Sequence, residues 1–218
     1  MSCGAISDTA SNVLSPSDSK DGWQLLFDGK TLDGWRGYKS DAVPQGWRVE
    51  DGTLHFSGGR GDIVTVASYS DFELQLEWKV AEWGNSGIFY LAELGKDVIY
   101  MSAPEMQVLD DDHHPDGADP LTSAGSNYAL HPAPRGVVRP AGEWNLALIK
   151  VQAEHVEHWL NGQKIVEYTI RSPEWAELVA NSKFADWPDY GKALSGHIGL
   201  QDHGDPVWYR NIMIRVPD

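Results

Sequence analysis

Hydrophobic and polar positions alternate with period two along most of this chain. Gly, Asp, Asn and Pro interrupt the alternation at short intervals. The clearest run is Phe72-Glu73-Leu74-Gln75-Leu76-Glu77-Trp78-Lys79-Val80, which alternates without error. That is the pattern of an antiparallel strand with one face in a core and the other toward water. Residues 47–50 and 53–56 flank Asp51-Gly52, and residues 155–160 and 163–170 flank Asn161-Gly162. Both pairs read as hairpins closed by two-residue turns. Residues 86–91, 105–109, 144–151, 197–200 and 207–216 continue the series. One stretch has a helical period instead. Ser172 suits an N-cap, Pro173 the first turn and Glu174 the positive end of the dipole. Trp175, Leu178 and Val179 then form an apolar stripe, which predicts a short helix over about 173–182. No internal repeat stands out. The number of strands and their turn spacing predict an all-β sandwich of two antiparallel sheets.

Composition narrows the function. The 218 residues suit one large domain, expected over 21–218, and 41% are hydrophobic, enough for a sizeable core. Ten Trp and eight Tyr suit β-structure and also stacking against sugar rings. A formal net charge of −15 argues against nucleic acid or an anionic membrane surface as partner. No stretch approaches the roughly 20 apolar residues of a membrane-spanning helix. Residues 1–20 are small and polar and read as a disordered tether. The sole cysteine, Cys3, rules out an internal disulfide. A cysteine followed by a Ser-rich run resembles a processed bacterial lipoprotein. In that reading Cys3 carries the lipid and the protein is periplasmic or extracellular. The plainer reading is an arbitrary cysteine in a tail.

Several polar groups stand where chemistry could occur. In residues 105–109, Met106 and Val108 face one way, and Glu105 and Gln107 face the other beside Leu109. A carboxylate and an amide side by side on a sheet face can hold sugar hydroxyls or move a proton. The strand runs into Asp110-Asp111-Asp112-His113-His114-Pro115-Asp116-Gly117. Its carboxylates would suit calcium and its histidines zinc, but the spacing fits neither a calcium loop nor a two-histidine zinc helix. The bland reading is an acidic surface turn. A divalent cation stays open as a cofactor, with Asp110, His114 and Glu105 as candidate ligands. In the last strand Trp208, Arg210, Ile212, Ile214 and Val216 share a face by alternation, so Arg210 is either ion-paired or lines a site. His203, between Asp202 and Gly204, is either a base oriented by a carboxylate or a solvated turn histidine. Gln201 faces outward with His197. Asn85-Ser86-Gly87 is a turn by its chemistry, or places an amide and a hydroxyl at a pocket rim.

Taken together, particular segments resemble a known family. They are Leu26-Phe27-Asp28-Gly29-Lys30-Thr31-Leu32-Asp33-Gly34-Trp35, Asn85-Ser86-Gly87-Ile88, Glu105-Met106-Gln107-Val108-Leu109-Asp110, His114-Pro115-Asp116, Gly142-Glu143-Trp144-Asn145, His158-Trp159-Leu160-Asn161-Gly162, Leu200-Gln201-Asp202-His203-Gly204 and Tyr209-Arg210-Asn211-Ile212. In that order, over about residues 22–216, the chain resembles the 3-keto-disaccharide hydrolase domain family. The resemblance implies a concanavalin A-like β-jelly roll acting on glycosides oxidised at C3. Members are described as hydrolases, lyases or hydratases, and many are secreted or lipid-anchored. By position, the family's recurrent polar residues fall on Glu105, Gln107, Asp110, His114, His203 and Arg210. Residues 123–128, ending in Tyr128, stand where many members have a Gly-Ala-Leu-Tyr-like run.

An ordinary glycosidase uses two carboxyl groups about 5 to 9.5 Å apart. Here the residue two along from Glu105 is Gln107. Asp110 would lie about 16 Å from Glu105 on a straight strand, and on the opposite face. A C3 ketone changes the demand, because it acidifies the hydrogen on C2. One base can then remove that proton, the group on C1 leaves, and water adds back. Such a route needs a base, a group that steadies the enolate, and an acid. The expected catalytic residues are Glu105, His203 and Arg210. Glu105 or His203 would be the base, and Arg210 or a divalent cation would steady the enolate. Gln107, Asp110, His114, Asn85, Ser86, Tyr128 and Gln201 are the expected contacts to a small oxidised glycoside. The alternatives are a non-catalytic carbohydrate-binding module of a surface lipoprotein, and an ordinary endoglycosidase on the same fold.

Overall fold

The computed structural model describes residues 11–217. Its strands are β1 (Trp23–Leu25), β2 (Trp35–Gly37), β3 (Trp47–Glu50), β4 (Thr53–Phe56), β5 (Ile63–Thr65), β6 (Phe72–Val80), β7 (Asn85–Ala92), β8 (Glu105–Leu109), β9 (Asn145–Gln152), β10 (His155–Leu160), β11 (Gln163–Thr169), β12 (His197–Leu200) and β13 (Val207–Arg215). The helices are α1 (Pro16–Lys20) and α2 (Pro173–Ala180), and 3-10 turns span Ile99–Met101 and Pro115–Ala118. Two antiparallel sheets result. The larger has the order β11-β10-β9-β6-β13-β4-β3, with β1 also paired to β13. The smaller has the order β2-β5-β12-β7-β8.

β6 shows how the alternation becomes packing. Its residues are buried and half-buried in strict turn, as predicted. Leu74 lies opposite Ile149 of β9 and Ile214 of β13, so the register sets one apolar row across three strands. Those rows meet Ile88, Tyr90, Met106 and Val108 of the smaller sheet in one core. Each fully buried aliphatic side chain there contributes about 1.5–3 kcal/mol. Both predicted hairpins form. Asp51 and Gly52 have φ of 48° and 72°, and Asn161 and Gly162 have 51° and 84°. Positive φ at both central residues matches the twist of the flanking strands. α2 begins where predicted, with the Ser172 hydroxyl accepting from the Trp175 N–H at 3.1 Å.

Two expectations are corrected. Residues 11–20 are not a tether. Ser15 caps α1 through a reciprocal capping box, and Asn12 is buried. The Asn12 amide donates to the Gly52 carbonyl at 2.7 Å and accepts from the Asn211 N–H at 2.8 Å, which docks this segment on the sandwich. Cys3 lies outside the described residues. The second correction concerns β13. Asn211, with φ of 52°, sits in a bulge between Arg210 and Met213. The extra residue reverses the alternation. Tyr209 and Ile212 both enter the core, so Arg210 shares no face with Ile212 and Ile214.

A polar group closes the middle of the sandwich. His158 of β10 is fully buried. Its Nδ1 lies 3.0 Å from the Gly125 carbonyl, which can only accept, so the proton is on Nδ1 and Nε2 accepts from the Tyr90 hydroxyl at 2.9 Å. Burial pulls the His158 pKa down from 6.5 to about 4. The neutral ring is therefore favoured by the fold. Its stabilising effect is complete above pH 6.5 and is lost as pH falls toward 4. Unfolding free energy measured by denaturant titration should fall by roughly 3 kcal/mol across that window from this group alone. His158→Gln should flatten the slope, and an unchanged slope in that variant would remove His158 as its source.

Candidate active site

β7 and β8 are buried on both faces because the outer face of the smaller sheet is itself covered. At one end Tyr38, Val64, Phe89, Ala92, Ile99 and Ala103 pack over it. At the other end the cover opens into a cleft of about 380 Å³. Pairing builds the cleft floor. Gly87 lies opposite Gln107, and Asn85 opposite Leu109. The Glu105 carboxyl lies over Gly87, where an added Cβ would come within 1.8 Å of its Oε1. Only glycine leaves that space. The Gln201 N–H donates to the Gly87 carbonyl at 2.9 Å, which fixes Gln201 just past β12. On the far side of β8, the Gln107 N–H donates to Ser126 and the Tyr128 N–H to Glu105, at 3.1 and 3.0 Å. This pairing covers the β8 edge and carries Tyr128 to the cleft.

The floor is polar and under strain from burial. Glu105 is 7% exposed, and burial raises its carboxyl pKa to about 8. The nearby Lys183 ammonium opposes this rise, and Asp62 and Asp116 add to it. One amide oxygen each of Asn85, Gln107 and Gln201 is buried without a hydrogen-bond partner among the described residues. Each such group costs about 1–3 kcal/mol, a cost that hydroxyl donors from a ligand would relieve. His203 stands at the mouth, with Nδ1 3.6 Å from Asp205 Oδ2. The His114 ring lies 6.3 Å from it, nearly perpendicular. His114 Nδ1 accepts the Asp116 N–H at 3.2 Å, so its Nε2 faces Asn85, 3.5 Å from the amide nitrogen. The Tyr128 hydroxyl donates to Asp116 at 3.2 Å, and burial with that carboxylate pushes it up to about 12. Lys183 Nζ sits 4.1 Å above the Tyr128 ring, and burial lowers its pKa against the pull of Glu105 and Asp116.

Of the residues expected from sequence, Glu105, Gln107, Asn85, Tyr128, Gln201 and His203 line this cleft. His114 touches it through Asn85. Three others do not reach it. Arg210 is on the outer face of the larger sheet, where Nε and Nη2 each bind Glu77 Oε2 at 2.7 Å and the guanidinium stacks 4.1 Å above Trp144. It alternates with the buried Tyr209, and the bulge that follows separates it from Ile212 and Ile214. Ser86 faces the core. Its hydroxyl donates to the Gln201 carbonyl at 2.7 Å and accepts from Tyr209 at 2.8 Å, so it positions Gln201 and is closed to substrate. Asp110 is buried in the turn after β8, where Oδ2 accepts the Trp83 N–H and pairs with His113 Nδ1, both at 2.8 Å. With Asp110 committed there, Asp110, His114 and Glu105 do not form a shared metal site. Among the described residues, the group close enough to share an ion is His155, Glu157 and Glu167, on the larger sheet. Lys164 already pairs with both carboxylates there.

The sequence reading missed Lys183, Phe184, Trp187 and Tyr100, which also line the cleft. They arrive from the segment after α2 and from the 3-10 turn at Ile99–Met101. Their signal was faint: large aromatics in a stretch rich in Asp, Pro and Gly, where nothing local requires them.

Comparison with known proteins accords with this architecture. A model of the 3-keto-alpha-glucoside-1,2-lyase-like domain matches residues 22–215. A 3-keto-disaccharide hydrolase of Bacteroides thetaiotaomicron is 43% identical over 230 aligned positions, covering 91% of this chain and 79% of that protein. A crystal structure from Parabacteroides distasonis, described as a candidate glycosyl hydrolase, superposes with a TM-score of 0.90 at 34% identity, covering 95% of this chain and all of that one. A Bacillus subtilis protein described as galectin-like shares the fold alone, with a TM-score of 0.55 at 17% identity over 94% of each chain. The two-sheet sandwich that the strand pattern predicted is thus the jelly roll that the resemblance implied, and the chain belongs to the 3-keto-alpha-glucoside-1,2-lyase-like domain family.

Proposed function

We propose that this protein is an enzyme that cleaves glycosides whose sugar carries a ketone at C3, by elimination across C1 and C2 followed by rehydration. Family membership and the name of the 43% identical relative support the substrate class. The observation that carries the mechanism is the cleft lining itself. Among the described residues it has one carboxyl group, Glu105, set among amides, an imidazole and an ammonium. Direct displacement at C1 by the usual route needs two carboxyl groups. Elimination needs one base, one acid and one group that steadies an oxyanion.

The roles follow from burial and charge. His203, at the open mouth beside Asp205, takes the proton from C2. The C–H electron pair forms the C2–C3 double bond, and the ketone oxygen becomes an enolate. The Lys183 ammonium steadies that oxygen in place of Arg210. When the enolate collapses, the ketone reforms, the C1–C2 double bond forms and the bond from C1 to the departing oxygen breaks. Glu105, with its pKa raised to about 8, holds a proton at neutral pH and gives it to that oxygen. Water then adds at C1 and a proton returns to C2. The unpaired amide oxygens of Asn85, Gln107 and Gln201 accept from the sugar hydroxyls.

Glu105→Gln and His203→Ala should each slow elimination from a 3-keto-glucoside at least about 100-fold, followed by loss of the keto-sugar. Full activity in both variants would end the assignment. The rate of the wild type should fall as pH rises through about 8, where Glu105 loses its proton. A rate that instead climbs through pH 8 would make Glu105 the base. Stability should move the opposite way in the variant. The folded state holds the Glu105 proton above the ordinary 4.5, so its stabilising effect is present below 4.5 and is lost as pH rises toward 8. Glu105→Gln should therefore melt higher than wild type at pH 9 and gain little at pH 4. Gly87→Ala should lower kcat by displacing the carboxyl while the melting temperature stays within a few degrees of wild type. Wild-type kcat in that variant would show that the placement of the carboxyl over Gly87 is immaterial.

A further inference from the structure

The cleft has two unlike sides. The sheet supplies the polar floor. The opposite wall comes from Tyr100 and from Phe184 and Trp187. Tyr100 is 39% exposed and Trp187 is half-buried, so the rings present area to the opening. Their centroids lie 5.3 Å apart, with planes 34° from parallel.

This wall is braced from behind. Trp187 contacts Phe184 at 5.3 Å, and Phe184 stacks on Tyr190 at 4.1 Å. Tyr190 stacks on Trp175 of α2 at 5.9 Å, and Trp175 on Tyr168 of β11 at 5.2 Å. The two chain segments that carry the rings are also tied together. The Gly191 N–H donates to the Ser102 carbonyl at 2.8 Å, and Lys96 pairs with Asp189 at 2.6 Å. Gly191 lies so close to Trp175 that an added Cβ would be 2.5 Å from the indole. Rings fixed in this way lose little freedom when they bind a ligand, which favours affinity.

We infer that Tyr100 and Trp187 form the subsite for the group leaving C1, and that this group presents a flat apolar face to them. This rests on the proposed function and adds the leaving-group class to it. The reacting sugar needs hydroxyl acceptors, and the floor offers the buried amide oxygens of Asn85, Gln107 and Gln201. The leaving group needs to be held beside Glu105 while the bond to C1 breaks. A flat apolar face has two sources: the C–H face of a second sugar, or an aryl ring. An aryl ring stacked on an aromatic residue gains beyond the area it buries.

Three 3-keto-glucosides separate the possibilities: one with a methyl group on C1, one with a second glucose and one with a phenyl group. Wild-type kcat/KM should be higher for at least one of the last two than for the methyl compound. Trp187→Ala should reduce that preference about tenfold, Tyr100→Ala should reduce it too, and Trp187→Phe should restore part of it. Preference for the second glucose alone identifies a disaccharide subsite, and preference for phenyl alone an aryl subsite. Equal loss on all three substrates, or no change in preference, would overturn the inference. If wild type turns over none of them, the proposed function fails. The subsite is then read by saturation-transfer NMR with phenyl glucoside and with an unoxidised disaccharide. Ring or sugar C–H signals weakened by Trp187→Ala support it, and absence of signal in the wild type rejects it.

Discussion

A carboxyl group held out of water sets the chemistry of this protein. Glu105 sits in a strand paired on both sides, to β7 by register and to residues 125–128 by backbone hydrogen bonds. Its backbone is fixed by that pairing, and Gly87 beneath it leaves room for the carboxyl and nothing larger. Burial then keeps the proton on at neutral pH. Three buried amide oxygens beside it lack partners among the described residues. Such a floor opposes folding and is tolerated because the apolar rows on the other side of the same strands fill the sandwich core. One pair of strands thus holds the fold with one face and the site with the other.

The fold was readable because each strong signal was local. Phe72 to Val80 alternates in sequence and in burial, and Asp51-Gly52 and Asn161-Gly162 take the positive φ that their turns require. The helix after Ser172 was marked by its cap. The floor of the cleft was readable for the same reason, since Glu105 and Gln107 lie two apart on one strand and period two puts them on one face. Arg210 shows where such reasoning stops. A single left-handed residue, Asn211, reverses the alternation, and no preceding pattern announces it. Arg210 then meets Glu77 and Trp144 on the far sheet. The segment at residues 11–20 failed differently. Its composition is that of a tether, but Asn12 finds partners some 200 positions along the chain, which composition cannot reveal.

The aromatic wall was barely readable. Tyr100, Phe184 and Trp187 come from loops, and their convergence depends on contacts between segments about 85 residues apart. The same holds for Lys183, whose charge matters only because folding brings it near Glu105. Loops of this kind can vary without altering the sandwich. In the proposed reading the sheet handles the reacting sugar and the covering loops hold the group it is attached to.

The direct test of the elimination route is the fate of the hydrogen on C2. A 3-keto-glucoside is cleaved in heavy water, with a no-enzyme control for spontaneous exchange, and the released keto-sugar is examined by mass spectrometry and NMR. Elimination and rehydration predict deuterium at C2 of every product molecule formed by the enzyme. Product that keeps ordinary hydrogen at C2 would mean direct displacement at C1 and would contradict the account.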